Sequence, residues 1–131
     1  MKRIFFIDDD IDDRELFQRA LKLVNTETQY VEAIDGHDAL EKIADKDFIL
    51  PDLIFVDLNM PRVNGLEFII RIKQMLHYQD IPTYVYTTSA SPRERVNCMS
   101  AGASGYIVKP YNESQLGKEL NEIILKHKMA S

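Results

Sequence analysis

The sequence predicts an α/β protein in which five strand–helix units build a parallel sheet. Short apolar runs alternate with longer stretches whose apolar residues recur every three to four positions, the pattern of βα units. Four of the five short runs are nearly continuous in apolar residues, as strands are when helices cover both faces of a sheet. A length of 131 residues with 45% hydrophobic content suits one globular domain with a sizeable core.

The first strand is expected at 3–7 and runs into Asp8-Asp9-Asp10. The helix after it carries Leu16, Phe17, Ala20, Leu21 and Val24 on one face, with Asp12 or Asp13 expected to cap its start. A second strand, 29–34, includes Tyr30 and precedes a helix marked by Ala39, Leu40 and Ile43. The third strand, 53–57, ends in Asp57, and Leu66, Ile69, Ile70, Ile72 and Met75 mark the helix beyond it. Tyr84 and Tyr86 lie in the fourth strand, 83–87, where buried hydroxyls need partners.

The fourth helix, 92–101, opens with a capping Ser91, Pro92 at its first position and Glu94 three after the cap. Its apolar stripe is thin, chiefly Val96 and Met99, which predicts weak anchoring and a readiness to shift. Cys98 is expected to pack beneath it. The fifth strand, 105–108, ends in Lys109-Pro110; Asn112, three before Gln115, opens a last helix marked by Leu116, Leu120, Ile123 and Ile124. No low-complexity linker, repeat or second-domain boundary interrupts the pattern, so a single domain spanning 1–131 is expected, with no output domain.

Sixteen basic against 21 acidic residues give a formal charge of −5 without a Lys/Arg cluster, which argues against direct nucleic-acid binding. The chain has no leader-like segment and no apolar run near the roughly 20 residues that span a bilayer, so no membrane insertion is expected. One cysteine cannot form an internal disulfide, which fits a reducing, cytoplasmic setting. His37, His77 and His127 lack metal-ligand spacing and read as surface residues.

Asp57, Asp8-Asp9-Asp10 and Lys109 all stand at strand ends. In an open parallel sheet the carboxyl ends of the strands form the ligand crevice, so these distant residues are expected to meet there. A carboxylate can attack phosphorus and form an acyl phosphate. Acids gathered this closely repel one another beyond what one lysine cancels, and Mg²⁺, a hard ion that takes carboxylate and phosphate oxygens, would relieve that. Taken alone, each residue has a plainer reading: a strand-end Asp is usually a solvated turn or a cap, Lys109 a surface lysine, Thr87 an ordinary strand residue, and Tyr106 half-buried core.

Together, four blocks resemble a response-regulator receiver domain over the whole chain. They are Ile7-Asp8-Asp9-Asp10; Val56-Asp57-Leu58-Asn59-Met60-Pro61 with Gly65; Thr87-Thr88-Ser89; and Ala101-Gly102-Ala103-Ser104-Gly105-Tyr106-Ile107-Val108-Lys109-Pro110. The overall shape is similar to the stand-alone chemotaxis and phytochrome-associated types. The resemblance implies a doubly wound five-stranded sheet, the (βα)5 flavodoxin-like receiver fold, and a two-component phosphoprotein that accepts a phosphoryl group from a histidine kinase on Asp57.

The resemblance further implies that Asp9 and Asp57 ligate Mg²⁺ directly, that the Asn59 backbone carbonyl adds an oxygen, and that Asp8 acts through bound water. Lys109, oriented by a cis bond to Pro110, would face the phosphoryl group; Thr87 would donate to it and Tyr106 would rotate inward. Ser89, two after Thr87, would leave the approach of water open. Ile11, Arg14 and Tyr111 would meet the kinase or phosphotransfer protein. The fourth helix, fifth strand and fifth helix would present the switched face to a downstream protein or to a second copy in a homodimer. The phosphoryl group ends on the chain itself, so no turnover enzyme is implied.

Three other readings compete. A degenerate receiver would be a docking module independent of phosphorylation, but intact Asp8, Asp9, Asp57, Thr87 and Lys109 speak against that. An aspartyl-nucleophile phosphatase of the haloacid-dehalogenase type would use Asp8 and Asp10; Asp12 stands where Thr or Val is usual, there is no room for a cap domain, and the Asp57 block goes unexplained. A calcium-binding EF-hand loop starting at Asp8 has Asp13 in place of the turn glycine and Arg19 in place of the final Glu.

Overall fold

The computed structural model describes residues 2–129. Five strands, β1 (Arg3–Ile7), β2 (Gln29–Ala33), β3 (Leu53–Val56), β4 (Thr83–Thr87) and β5 (Gly105–Val108), alternate with α1 (Ile11–Val24), α2 (Gly36–Ala44), α3 (Gly65–Ile72), α4 (Pro92–Ala101) and α5 (Glu113–Met129). All strands are parallel, in the order β2-β1-β3-β4-β5. The order reverses between β1 and β3, so the crevice above those two strands is the topological switch point at which such sheets bind ligands.

Side chains alternate across the sheet, and the core is therefore double. Phe5, Ile7, Ile54, Val56 and Val85 pack with Phe68, Ile69 and Ile72 of α3, Ala39 of α2 and Cys98 of α4. Ile4, Phe6, Leu53, Phe55, Tyr84 and Tyr86 pack on the other face with Phe17, Ala20 and Leu21 of α1 and Leu116, Leu120 and Ile124 of α5. Phe6 and Phe17 stack with centroids 4.0 Å apart, and Phe55 meets Phe17 edge-on at 5.1 Å.

The structure departs from the sequence reading in several places, and at the end of β2 and the start of α1 polar side chains explain it. β2 stops at Ala33 because the Ile34 N–H turns to Asp38 Oδ2 at 2.9 Å. The cap of α1 is Asp10, whose Oδ1 accepts from the N–H of Asp12 (2.8 Å) and Asp13 (3.4 Å), so neither later acid caps. α3 ends at Ile72, leaving Met75 in the turns that follow. On α4, Val96 and Met99 are 61% and 41% exposed, and Cys98 is the buried anchor instead. His127 is not merely surface: its Nε2 lies 2.7 Å from the Tyr84 hydroxyl, the partner that a tyrosine in a central strand needs.

Ser91 and Asn112 do cap, accepting from Glu94 N–H at 3.2 Å and Gln115 N–H at 2.8 Å. Among the described residues no peptide bond is cis, so Lys109-Pro110 is trans, the lower-energy isomer. The orientation of Lys109 comes from ion pairs instead.

Candidate functional site

Register brings the acids together. Ile7 pairs with Val56, and the ladder runs one step further through Asp57 N–H to Ile7 C=O at 2.9 Å, which sets Asp8 and Asp57 side by side at the strand ends. Asp8 N–H donates to Ala33 C=O at 3.2 Å, and Lys109 N–H donates to Thr87 C=O at 2.7 Å. Each of these backbones is thus fixed by a neighbouring strand. Gly65 closes the site from below: a Cβ there would lie 2.3 Å from the Asp57 carbonyl oxygen, so only glycine lets α3 start this close to the Asp57 loop.

The two buried carboxylates divide their oxygens in the same way. Asp8 Oδ1 accepts from Asp10 N–H at 2.9 Å, and Asp57 Oδ1 accepts from Leu58 N–H at 2.8 Å. Their Oδ2 atoms face Lys109 Nζ, at 2.9 Å from Asp8 and 3.6 Å from Asp57. The Asp8 Oδ2 contact is an ion pair without hydrogen-bond direction, which leaves a fully buried oxygen with no aligned donor. Ligand oxygens of Asp8, exposed Asp9 and Asp57 lie within 4.8 Å of one another. Three carboxylates with an undirected buried oxygen are a donor set that fits a hard divalent cation.

Burial pushes the Asp8 carboxyl up to about 6, against the Asp10 N–H and Lys109, which favour its charge. Burial also raises Asp57, opposed mainly by Lys109. Burial disfavours the Lys109 ammonium, but the Asp13 hydrogen bond and the negative charges of Asp8 and Asp57 outweigh it and raise its pKa. The ammonium lies 5.4 Å from the Tyr86 ring centroid, a cation–π contact.

Beside this cluster, buried Thr87 accepts from Ser89 N–H at 3.2 Å, and the Tyr106 hydroxyl donates to Ser89 C=O at 2.8 Å. Tyr106 thus already sits inward, buried against the β4–α4 loop. Asn59 is exposed at the mouth, two residues beyond Asp57.

Contacts made by two residues escaped the sequence reading. Asp13 Oδ2 accepts from Lys109 Nζ at 2.7 Å; the signal was its place one helical turn beyond Asp9, on the α1 face toward the site. Arg14 donates to Asp8 C=O at 2.8 Å and pairs with Glu32 at 3.1 Å; with its side chain only 11% exposed it braces the site, whereas Ile11 and Tyr111 are exposed.

The response regulator receiver domain family matches residues 4–121. The chain belongs to that family. It is a receiver domain of the kind found in two-component response regulators, with no helix among the described residues long and apolar enough to cross a membrane. It is 31% identical over 119 residues to the chemotaxis protein CheY1 of Helicobacter pylori, covering 88% of this chain and 93% of that one. The CheY homolog of Campylobacter jejuni is 27% identical over 117 residues, 87% and 88% of the two chains. Among solved structures, the receiver resembles the chemotaxis response regulator CheY4 of Vibrio cholerae (TM-score 0.80, 31% identity, 94% and 98% of the chains). It also resembles the phosphorylated cyanobacterial phytochrome response regulator RcpA (TM-score 0.84, 30% identity, 93% and 90%).

Proposed function

We propose that the chain is a receiver that takes a phosphoryl group onto Asp57 from a histidine kinase or phosphotransfer protein and passes the signal to another protein. The observation that carries this is the meeting of Asp8, Asp9 and Asp57 within 4.8 Å, with Lys109 against two of them, at the switch point of a parallel sheet. Asp57 Oδ1 is occupied by a backbone N–H, which leaves Oδ2 as the attacking atom. Its bond to phosphorus forms as the bond from phosphorus to the donor's leaving group breaks.

Asp9 and Asp57 would hold Mg²⁺ directly, Asp8 through water, and the Asn59 backbone carbonyl would complete the protein's share. When bound, the ion supplies positive charge to the acids and to the oxygens of the transferred group. Lys109 contributes its own charge to those oxygens.

Thr87 and Tyr106 hold opposite ends of one residue. The Thr87 hydroxyl accepts from Ser89 N–H while Tyr106 donates to Ser89 C=O. The Thr87 proton is free to donate to a phosphoryl oxygen; as that hydroxyl turns, the Ser89 amide and with it the Tyr106 contact are re-set. The group adds roughly 1.5 to 2 negative charges, enough to bias a loop with two states a few kcal/mol apart. Outward-facing Val96, Met99 and Val108 give the target protein an apolar surface on α4 and β5, beside α5; a second copy of the chain is the other candidate occupant. The chain is a phosphoacceptor rather than a turnover enzyme, and a cytoplasmic setting suits its unpaired Cys98.

The test is intact mass after acetyl phosphate, with and without Mg²⁺. A Mg²⁺-dependent gain of about 80 Da that disappears in Asp57→Asn supports the reading. No adduct, together with no binding of beryllofluoride, makes the chain a phosphorylation-independent docking module.

A further inference from the structure

Lys109 meets three carboxylates, and the shortest contact is not with the acids of the candidate metal site. Asp13 Oδ2 lies 2.7 Å from Nζ, Asp8 Oδ2 2.9 Å and Asp57 Oδ2 3.6 Å. Asp13 reaches the lysine because the Asp10 side chain ties down the first turn of α1 through the N–H groups of Asp12 and Asp13. Its neighbour Arg14 is committed to Asp8 C=O and Glu32, so it does not compete for the Asp13 carboxylate. The Lys109 side chain is 10% exposed and that of Asp13 27%, so the pair is shielded from most solvent screening.

We infer that Asp13 is a positioning residue that holds the Lys109 ammonium back from Asp57 and so slows the entry of the phosphoryl group. An ammonium shared among three carboxylates has part of its field cancelled, and one drawn toward α1 stands further from the charge that develops on the equatorial phosphoryl oxygens. Removing the Asp13 charge leaves the ammonium to Asp8 and Asp57 and frees Nζ to close the 3.6 Å gap to Asp57. The inference rests on the proposed phosphoryl transfer to Asp57, and the experiment separates the two.

The experiment follows the rate of phosphorylation by acetyl phosphate at saturating Mg²⁺, read by intact mass, for the wild type, Asp13→Asn and Asp13→Glu. The Lys109 side-chain ammonium is followed by ¹⁵N NMR in the metal-free proteins. The expected result is a rate about three- to tenfold higher in Asp13→Asn, a displaced Lys109 ammonium signal in the same variant, and near wild-type values for both in Asp13→Glu. An unchanged rate in Asp13→Asn while the wild type is phosphorylated overturns the positioning role alone. Asp13→Glu behaving like Asp13→Asn also overturns it, because a charge-independent packing effect is then the cause. A wild type that takes no phosphoryl group overturns both this inference and the receiver chemistry beneath it.

Discussion

Asp8 is a fully buried carboxyl whose pKa stands at about 6 against 3.8 for an unperturbed aspartate. Because the folded value is the higher one, the native state binds the proton more tightly, and Asp8 is least costly below pH 4. The stability of the metal-free protein should fall as pH rises from about 4 to about 6, by an amount on the order of 3 kcal/mol from this residue. Urea denaturation at pH 4, 5, 6 and 7 without Mg²⁺ reads this directly. Asp8→Asn, which removes the buried charge, should flatten the profile and leave the protein more stable than wild type at pH 7 while weakening Mg²⁺ binding; a profile as steep as wild type would refute the assignment. Asp8, Asp57 and Lys109 were legible in the sequence because each ends an apolar run. Asp13 was not, because its role depends on a lysine 96 positions away and on Asp10, rather than Asp13 itself, serving as the cap.

At the scale of elements, capping and close approach decide what tolerates change. Asp10→Ala removes the acceptor for two N–H groups of α1 and should cost about 1 kcal/mol, whereas Asp12→Ala should cost almost nothing. Thermal melts of the two variants distinguish them. Gly105 has a tighter constraint: a Cβ there would lie 2.7 Å from the Tyr84 ring, which is itself stacked on Phe55. Gly105→Ala should therefore lower stability by roughly 1–3 kcal/mol, and a neutral effect would mean that the ring can move aside. Strand positions were readable from continuous apolar runs, and the caps of α4 and α5 from Ser91 and Asn112. What periodicity did not reveal was which way α4 faces. With one buried side chain, Cys98, the helix has no broad stripe to read, and a neighbouring Val and Met were mistaken for the anchor. Amide exchange should be fastest, among the helices other than frayed ends, in α4.

For the molecule as a whole, a cation that binds only the folded state raises stability by about 2.7 kcal/mol at a hundred times its Kd. Mg²⁺ at that excess should raise the Tm by roughly 10 °C, and Asp9→Asn should remove most of the gain without lowering the metal-free Tm. An equal Mg²⁺ response in wild type and Asp9→Asn would exclude Asp9 as a ligand. The sheet order itself was foreseeable only through family resemblance, since periodicity counts strands but does not order them.

The division of the core by the sheet has a consequence for how this protein tolerates variation. Phe17 and Phe68 sit in different clusters on opposite faces. Substitutions at the two should add with little interaction, as separated sites do. Each face can then drift through its own series of replacements without the other registering the change. At the carboxyl edge, loops from both sides share partners: Lys109, just after β5, meets Asp13 of α1 and Asp57, just after β3. A change of charge at that edge is consequently one of the few local events that both halves of the molecule can sense at once.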